Sequence, residues 1–371
     1  MPEPISSHEA WRRVLPEGAV VATDLVGVAD GALAHLGDPE GESEALAHGA
    51  LVMVPLMRHG ALRLRGPDRI DFLNAQVSHD VRSLAVGCAR DAMLLDHRGR
   101  PQADVTIVRR EDELFVSVDD ARVAHVRDAL ETHLVFDQVV IDDLTDALAS
   151  LVVSGTDVAQ RVDEALGAPG GRAGHALTHA ASGAVVDVAF AGASALLHAR
   201  ARGGVPSLDL HVSARDLDPL VRALEAVGVR MVGEVALASA RVVAGITTSA
   251  AEGVEALPQE AGLESRLSYR KGCYLGQEIM ARIEARGSLR RGPARLALDG
   301  SPAAPDERAV VDASGKVVGR VGSAAWTPSR GWQALAVMRL DLEVGAVVRT
   351  LGVGAVHDGT LGDVRGGAPR G

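Results

Sequence analysis

The sequence predicts an α+β fold: two ferredoxin-like α/β layers followed by a small C-terminal antiparallel β-barrel. Two observations lead to this prediction. The order strand, helix, strands, helix, strand occurs twice in succession along the chain, and this is the order of ferredoxin-like units. After Pro293 the pattern changes to short strands separated by glycine turns over roughly 75 residues, which indicates a barrel.

The first unit follows an acidic arm that contains glycine and proline. Alternating apolar and polar residues predict strands, and apolar residues three and four positions apart predict helices. On these criteria the unit comprises the strand "ALRLRG", a helix from "GPDRIDFLNAQV" with Ile70, Leu73 and Val77 on one face, strands at 89–96, 102–108 and 113–118, a helix opened by Asp119 and Asp120, and the strand "QVVIDDL".

The second unit repeats this order, and a further helix, "EVALASARVVAG", follows it. The unit comprises the strand "LASLVVSG", the helix "DVAQRVDEALG" capped by Thr156, the strands "GAVVDVAF" and "LDLHVS", the helix "DLDPLVRALEAVG" and the strand "VRMVG". We therefore expect an acidic N-terminal arm (1–47), a first α/β domain (48–146) completed by residues 233–292, a second ferredoxin-like domain (147–232), the β-barrel (293–362) and a tail (363–371).

Composition restricts the class of protein. Of the 371 residues, 47% are hydrophobic and 23% are charged, which is typical of a globular chain of two or three domains. A net charge of −11 argues against non-specific binding of nucleic acid over the whole surface. The sequence has neither a membrane-helix pattern nor a signal-peptide pattern, so we expect a cytoplasmic protein that does not bind membranes. Two distant cysteines and histidines without ligand spacing predict neither a disulfide framework nor a metal site.

The stretch "YRKGCY", residues 269–274, concentrates residue types that the rest of the chain almost lacks. It contains both tyrosines, one of the two cysteines and one of the two lysines. Cys273 lies between glycines, ahead of the helical pattern "QEIMARIEAR" and beside Lys271, and both features are expected to lower the pKa of a thiol. Three interpretations of Cys273 stay open: an inert residue in a packed turn, an activated thiol, and a non-covalent contact to a planar ligand.

Residues 271–282, "KGCYLGQEIMAR", resemble the signature of the YgfZ family. These are folate-binding proteins related to the aminomethyltransferase, or T-protein, of the glycine cleavage system. Every position from Lys271 to Glu278 matches the signature, with Leu275 as the free position. The similarity extends to "RLRGPDRIDFLNAQVSHDV", "LDHRGRPQADVTI", "LPQEAGL" and the barrel, so that only the first 47 residues are unmatched.

The resemblance implies three domains around a central hole in which tetrahydrofolate binds near the signature. It also implies a role in making or maintaining iron–sulfur clusters, with assembly factors or client proteins as partners and an indirect effect on tRNA modification. The functionally sensitive cysteine of the family corresponds to Cys273, and Lys271 is the second catalytic candidate. The candidate folate-binding residues are Tyr274, Gly276, Gln277, Glu278, Arg282, Glu260 and Asp104.

The chain departs from the T-protein pattern in its acidic residues. A helix motif Arg-x-Glu-Ala-Gly supplies a carboxylate to the pterin in the T-proteins, and here the stretch is "RVVAG", with Val243 in the place of the glutamate. A pair of hairpin aspartates is reduced to Ala103 and Asp104. Because a pterin presents two adjacent N–H donors, another acid is needed, and Asp104 and Glu260 are the candidates.

Two alternative functions stay open. One is a folate-dependent one-carbon transferase, an aminomethyltransferase or demethylase, against which the missing acids argue. The other is a module that binds RNA or protein through the arginine-rich stretch 266–295, with an inert Cys273. The same arginines suit the anionic tail of polyglutamylated folate.

Overall fold

The computed structural model describes residues 5–119, 121–168, 171–286 and 289–361. The predicted tail, residues 363–371, and the helix-opening Asp120 lie outside the described residues. The N-terminal segment packs against the apolar core of residues 149–229 through the buried Trp11 of its first helix. Its elements are α1 (Ser7–Val14), β1 (Val20–Val21), β2 (Leu33–His35), α2 (Pro39–Ala47) and β3 (Val52–Pro55).

The first sheet is antiparallel, with the strand order β5-β6-β7-β4-β8. Its apolar core lies between the sheet and two helices, and includes Leu62, Phe72 and Leu130. The sequence predicted each of these elements to within a few residues. They are β4 (Gly60–Arg65), α3 (Arg69–Gln76), β5 (Cys88–Leu95), β6 (Pro101–Arg109), β7 (Glu113–Val118), α4 (Val123–Thr132) and β8 (Val140–Asp143).

The second sheet has the order β10-β11-β12-β9-β3-β13, so that β3 pairs with β9 although it precedes the first sheet in the chain. The cap predicted for α5 is wrong: Asp157 is the N-cap residue, and the Thr156 hydroxyl instead donates to the Gly49 carbonyl. The elements are β9 (Leu148–Ser154), α5 (Val158–Ala165), α6 (Arg172–Thr178), β10 (Val185–Phe190), β11 (Ala193–Ala199), β12 (Ser207–Ser213), α7 (Leu217–Ala226) and β13 (Arg230–Met231).

The last third of the chain forms two helices and a closed barrel with the strand order β14-β17-β16-β15-β18-β19, which confirms the predicted fold class. No helix within the four described ranges is long and apolar enough to cross a membrane. The elements are α8 (Glu234–Ala244), α9 (Gln277–Arg286), β14 (Arg291–Leu298), β15 (Ala309–Asp312), β16 (Val317–Thr327), β17 (Gly331–Arg339), β18 (Val347–Thr350) and β19 (Val353–Thr360).

The inner faces of the two large sheets meet through polar side chains, and this arrangement positions the candidate site. On the first sheet, the strand register places Asp91, Thr106 and Ser117 in one row. On the second sheet, His198 lies opposite Asp209. The large apolar cores lie on the outer faces, under the helices, and the space between the sheets holds these polar groups beside a small apolar cluster of Ala61, Val108, Phe115 and Leu196.

Candidate functional site

Two adjoining cavities lie at the meeting of the sheets, α8 and the segment that follows it. The larger has a volume of about 790 Å³ and is lined by strands of both sheets together with Arg200, Ala201 and residues 203–207. The smaller, of about 100 Å³, is lined by α8 and the turn before β4. Arg200 and Arg266 line both, so the two cavities form one central site. Five arginines face the smaller cavity: Arg58, Arg200, Arg202, Arg241 and Arg266.

A buried ion-pair network forms one wall of this site. A nitrogen of Arg200 lies 2.9 Å from a carboxylate oxygen of Asp119 and another lies 3.5 Å from Asp91, while Arg202 forms a two-pronged pair with Asp209. Burial by itself would raise the pKa of Asp119, but the guanidinium groups of Arg200 and Arg202 hold it well below its ordinary value. The carboxylates are therefore charged at neutral pH.

His59 links this network to the first sheet. Its Nδ1 lies 3.0 Å from the Asp119 carboxylate, and its Nε2 is hydrogen-bonded to the hydroxyl of Ser117. The order serine, histidine, aspartate is that of a hydrolytic triad. Ser117 is only 2% exposed and lines neither cavity, so this arrangement presents no nucleophile to a substrate there.

Two more histidines lie across from His59 on the second sheet. Nε2 of His198 and Nε2 of His211 are 3.4 Å apart, and Nδ1 of His211 is 2.8 Å from the Ser150 hydroxyl. Burial lowers the pKa of both imidazoles, and in His211 does so strongly, which keeps them neutral at neutral pH. Sequence reasoning missed these residues. The available signal was the alternation of polar residues in the otherwise apolar stretches "LLHARAR" and "LDLHVS".

The Lys271 side chain points into the protein beneath the signature. Its ammonium donates to the carbonyls of Asn74, Val77 and His79 at the end of α3, and lies 4.7 Å from the centre of the Tyr274 ring. The negative end of a helix dipole is a favourable place for a cation. Burial nevertheless lowers the pKa of Lys271 to about 8. Lys271 thus fixes the signature loop to α3, and its effect on the Cys273 thiol stays a prediction.

The other signature residues are divided between interior and surface. Cys273 is exposed and lies just before α9, as the sequence predicted, whereas Tyr274 is buried among apolar side chains. Gly276 adopts a φ of +81° against the β5–β6 turn. Gln277 is half-buried, and Glu278 and Arg282 are exposed on α9. The signature lines neither cavity itself, but one of the three carbonyls that Lys271 binds belongs to His79, which lines the larger cavity.

The two acids predicted to replace the pterin-binding glutamate already have arginine partners. Asp104 accepts from the Arg266 guanidinium and from the Ser249 amide at 2.8 Å. Glu260 forms a two-pronged pair with Arg291. Neither acid lines the two cavities, and a role for either in folate binding stays a prediction. The acids that do face the smaller cavity are Asp119 and Glu234.

Comparison with known proteins agrees with this architecture. The model of the GCVT N-terminal domain matches residues 42–271, which is more than half of the chain. This chain belongs to the GCVT family. Residues 290–361, our barrel, match the model of the CAF17 C-terminal β-barrel domain.

Three relatives illustrate the likeness of this GCVT-family chain to known proteins. A chloroplastic transferase-like protein of Arabidopsis thaliana is 25% identical over 79% of this chain, a match that spans 66% of that protein. The aminomethyltransferase of Thermus thermophilus is 26% identical over 72% of this chain and 74% of its own length. The structure of aminomethyltransferase T of the glycine cleavage system from Bartonella henselae superimposes with a TM-score of 0.77, at 17% identity, over 96% of this chain and 97% of that one. The fold is thus aminomethyltransferase-like.

Proposed function

We propose that this chain is a YgfZ-type protein that binds tetrahydrofolate in the central site and serves in iron–sulfur cluster assembly or repair. Cys273 is its functional thiol, and the effect on tRNA modification is indirect, through client enzymes. The observation that carries the proposal is the signature from Lys271 to Glu278, present on a chain that combines a GCVT domain with a CAF17-type barrel. The Cys273 thiol is exposed, and the bonds of Lys271 to the end of α3 hold its loop in place. Such a thiol is accessible to a partner protein.

The central site has the size and the charges that tetrahydrofolate needs. Its larger part, of about 790 Å³, falls within the roughly 300–1,000 Å³ of small-molecule sites. The N–H groups of the pterin would donate to the carboxylate of Glu234, which lines the smaller cavity, and the glutamyl end offers carboxylates. Of the five arginines that line the smaller cavity, Arg58 is the one for which the described residues provide no ion-pair partner. We assign Arg58 to a glutamyl carboxylate.

One-carbon transfer is the second candidate, because a relative bears the name aminomethyltransferase. Two features favour the first candidate over it. Val243, at the position of the pterin-binding glutamate, is 44% exposed and offers no acceptor. Asp104, the one hairpin acid that is retained, is neutralised by Arg266. Turnover of a methylamine donor in the presence of tetrahydrofolate would favour the transferase function instead.

Folate binding is tested by calorimetry with tetrahydrofolate and the full chain. We expect saturable binding that Arg58→Ala weakens at least tenfold, since a charge-assisted hydrogen bond contributes about 1.5–3 kcal/mol. Arg349→Ala is the matched control, because Arg349 is exposed on β18 and lines neither cavity. Equal affinity in the wild type and both variants would show that Arg58 does not bind the ligand. An absence of binding heat in the wild type would overturn the proposal that this chain binds tetrahydrofolate.

The iron–sulfur role is tested in cells that lack the gene. Activities of iron–sulfur enzymes should fall on deletion and return with the wild-type chain. Cys273→Ser should fail to restore them, whereas Cys88→Ser should succeed, because Cys88 lies at the start of β5 and outside the signature. Restoration by Cys273→Ser would return Cys273 to the interpretation of an inert turn residue.

A further inference from the structure

His198, Asp209 and His211 form a compact set of ligand-type side chains on the second sheet. The pairing of β11 with β12 places His198 opposite Asp209, and His211 follows Asp209 by two residues on the same face of β12. All three side chains are buried, and their ligand atoms lie within 4.8 Å of one another. His198 lines the larger cavity, which provides a route to the set.

The separation of the two imidazoles is long for a hydrogen bond and suits a shared metal ion. Their Nε2 atoms are 3.4 Å apart, beyond the usual range of about 2.7–3.2 Å for a hydrogen bond donated by nitrogen. Two nitrogens bound to one tetrahedral Zn²⁺ at about 2.1 Å lie about 3.4 Å from each other. The backbone register of two adjacent strands therefore holds the nitrogens at the spacing that a zinc ion requires.

Contacts around the set orient these ligands. The hydrogen bond between Nδ1 of His211 and Oγ of Ser150 is the type of outer contact that fixes the ring of a metal-binding histidine. Arg202 donates one bond to each carboxylate oxygen of Asp209, and each oxygen keeps a second lone pair. The carboxylate is thus held in place while it retains the capacity to bind a metal.

The charge of the cluster also favours a cation. Three carboxylates, those of Asp91, Asp119 and Asp209, face two guanidinium groups, those of Arg200 and Arg202. The carboxylates that meet in this network therefore outnumber its two guanidinium groups.

We propose that His198, His211 and Asp209 bind a divalent transition-metal ion of the Zn²⁺ class. Two imidazoles and one carboxylate, without a thiolate, are a donor set of catalytic rather than structural zinc sites, and they leave a fourth position for water or for a ligand in the cavity. The histidines are 13 residues apart and come from separate strands, which explains why no ligand spacing is visible in the sequence. The proposal is independent of the folate proposal.

Zinc titration of the metal-stripped full chain, followed by calorimetry, tests this site. We expect one Zn²⁺ per chain, with an affinity that His211→Gln lowers by about 100-fold or more. The control is the double variant His175→Gln/His179→Gln, which removes a stacked histidine pair with ring centres 4.2 Å apart at the C-terminal end of α6, outside the cluster. Loss of binding in the double variant, with retention in His211→Gln, would overturn the proposal.

Crystals of the unmodified chain soaked in Zn²⁺ give a readout that does not depend on whether a variant folds. An anomalous difference peak between His198 and His211 is the expected result. A map without a peak at that position would overturn the proposal and identify the pair as a direct imidazole–imidazole contact.

Discussion

At Lys271, burial and hydrogen bonding shift the pKa of the side chain in opposite directions. Lys271 is 9% exposed, and removal of its side chain from water favours the neutral amine, which lowers its pKa to about 8. The three carbonyls at the end of α3 and the face of Tyr274 favour the charged ammonium. The balance decides whether this lysine stabilises or strains the loop that carries Cys273 at neutral pH.

Lys271→Met should remove a pH dependence of the free energy of unfolding. A lysine with a pKa of about 8 when folded and about 10.4 when unfolded binds fewer protons in the folded state between these values. The free energy of unfolding therefore rises with pH across that window. Urea titrations of the wild type and Lys271→Met, at pH values below, within and above this window, measure how the difference in their free energies of unfolding changes with pH.

The chain's other lysine provides the control for this measurement. Lys316 is exposed in the β15–β16 turn, and Lys316→Met should leave the pH dependence of stability unchanged. The opposite result is that the wild type becomes less stable relative to Lys271→Met as pH rises. It would mean that the carbonyls and the ring outweigh burial, so that the pKa of Lys271 is higher in the folded than in the unfolded state.

At the scale of elements, the signature loop contacts the β5–β6 hairpin at a place that only glycine fits. Gly276 has a φ of +81°, and a Cβ there would lie 2.8 Å from the Asp96 carbonyl oxygen and 2.8 Å from the Cα of Gly99. Both the backbone conformation and the close approach exclude a side chain. The hairpin thereby sets the position at which α9 begins.

Gly276→Ala should lower the free energy of unfolding by about 2–4 kcal/mol, the sum of a strained positive φ and a steric clash. Gly315→Ala is the matched control: its φ is +80°, but no atom lies within 4 Å of the added Cβ. The control should lose only the conformational part, about 1 kcal/mol. Equal losses in urea unfolding would show that the hairpin moves aside without cost.

The elements were largely predictable from the sequence, whereas the central site was not. Apolar periodicity specifies β5, β6 and β7 locally, and the contiguous signature revealed the loop of Cys273. The pairing of β3 with β9 depends on contacts between distant segments, which local periodicity does not encode. His59, Asp119 and Arg200 likewise converge from three separate segments, so no short pattern marks them.

At the scale of the whole molecule, one buried carboxylate joins three parts of the chain. Glu252 accepts from Arg241 of α8 at 3.3 Å, from the Thr248 amide at 2.9 Å and from the hydroxyl of Ser323 on β16. Its side chain has no exposed area. Helix, connecting segment and barrel are therefore held around a single charge, next to the smaller cavity that Arg241 lines.

Glu252→Gln should lower the free energy of unfolding by about 3–5 kcal/mol, because it leaves the nearly buried guanidinium of Arg241 without its charge partner. Urea unfolding measures the loss, and hydrogen exchange should show barrel strand β16 opening more often than in the wild type, since glutamine keeps only one acceptor oxygen for the three donors that Glu252 binds. The matched control is Glu9→Gln, which breaks the exposed pair with Arg13 on α1 and should cost less than about 1 kcal/mol. If the two variants lose the same stability, the three parts of the chain are joined by apolar packing, and Glu252 does not hold them together.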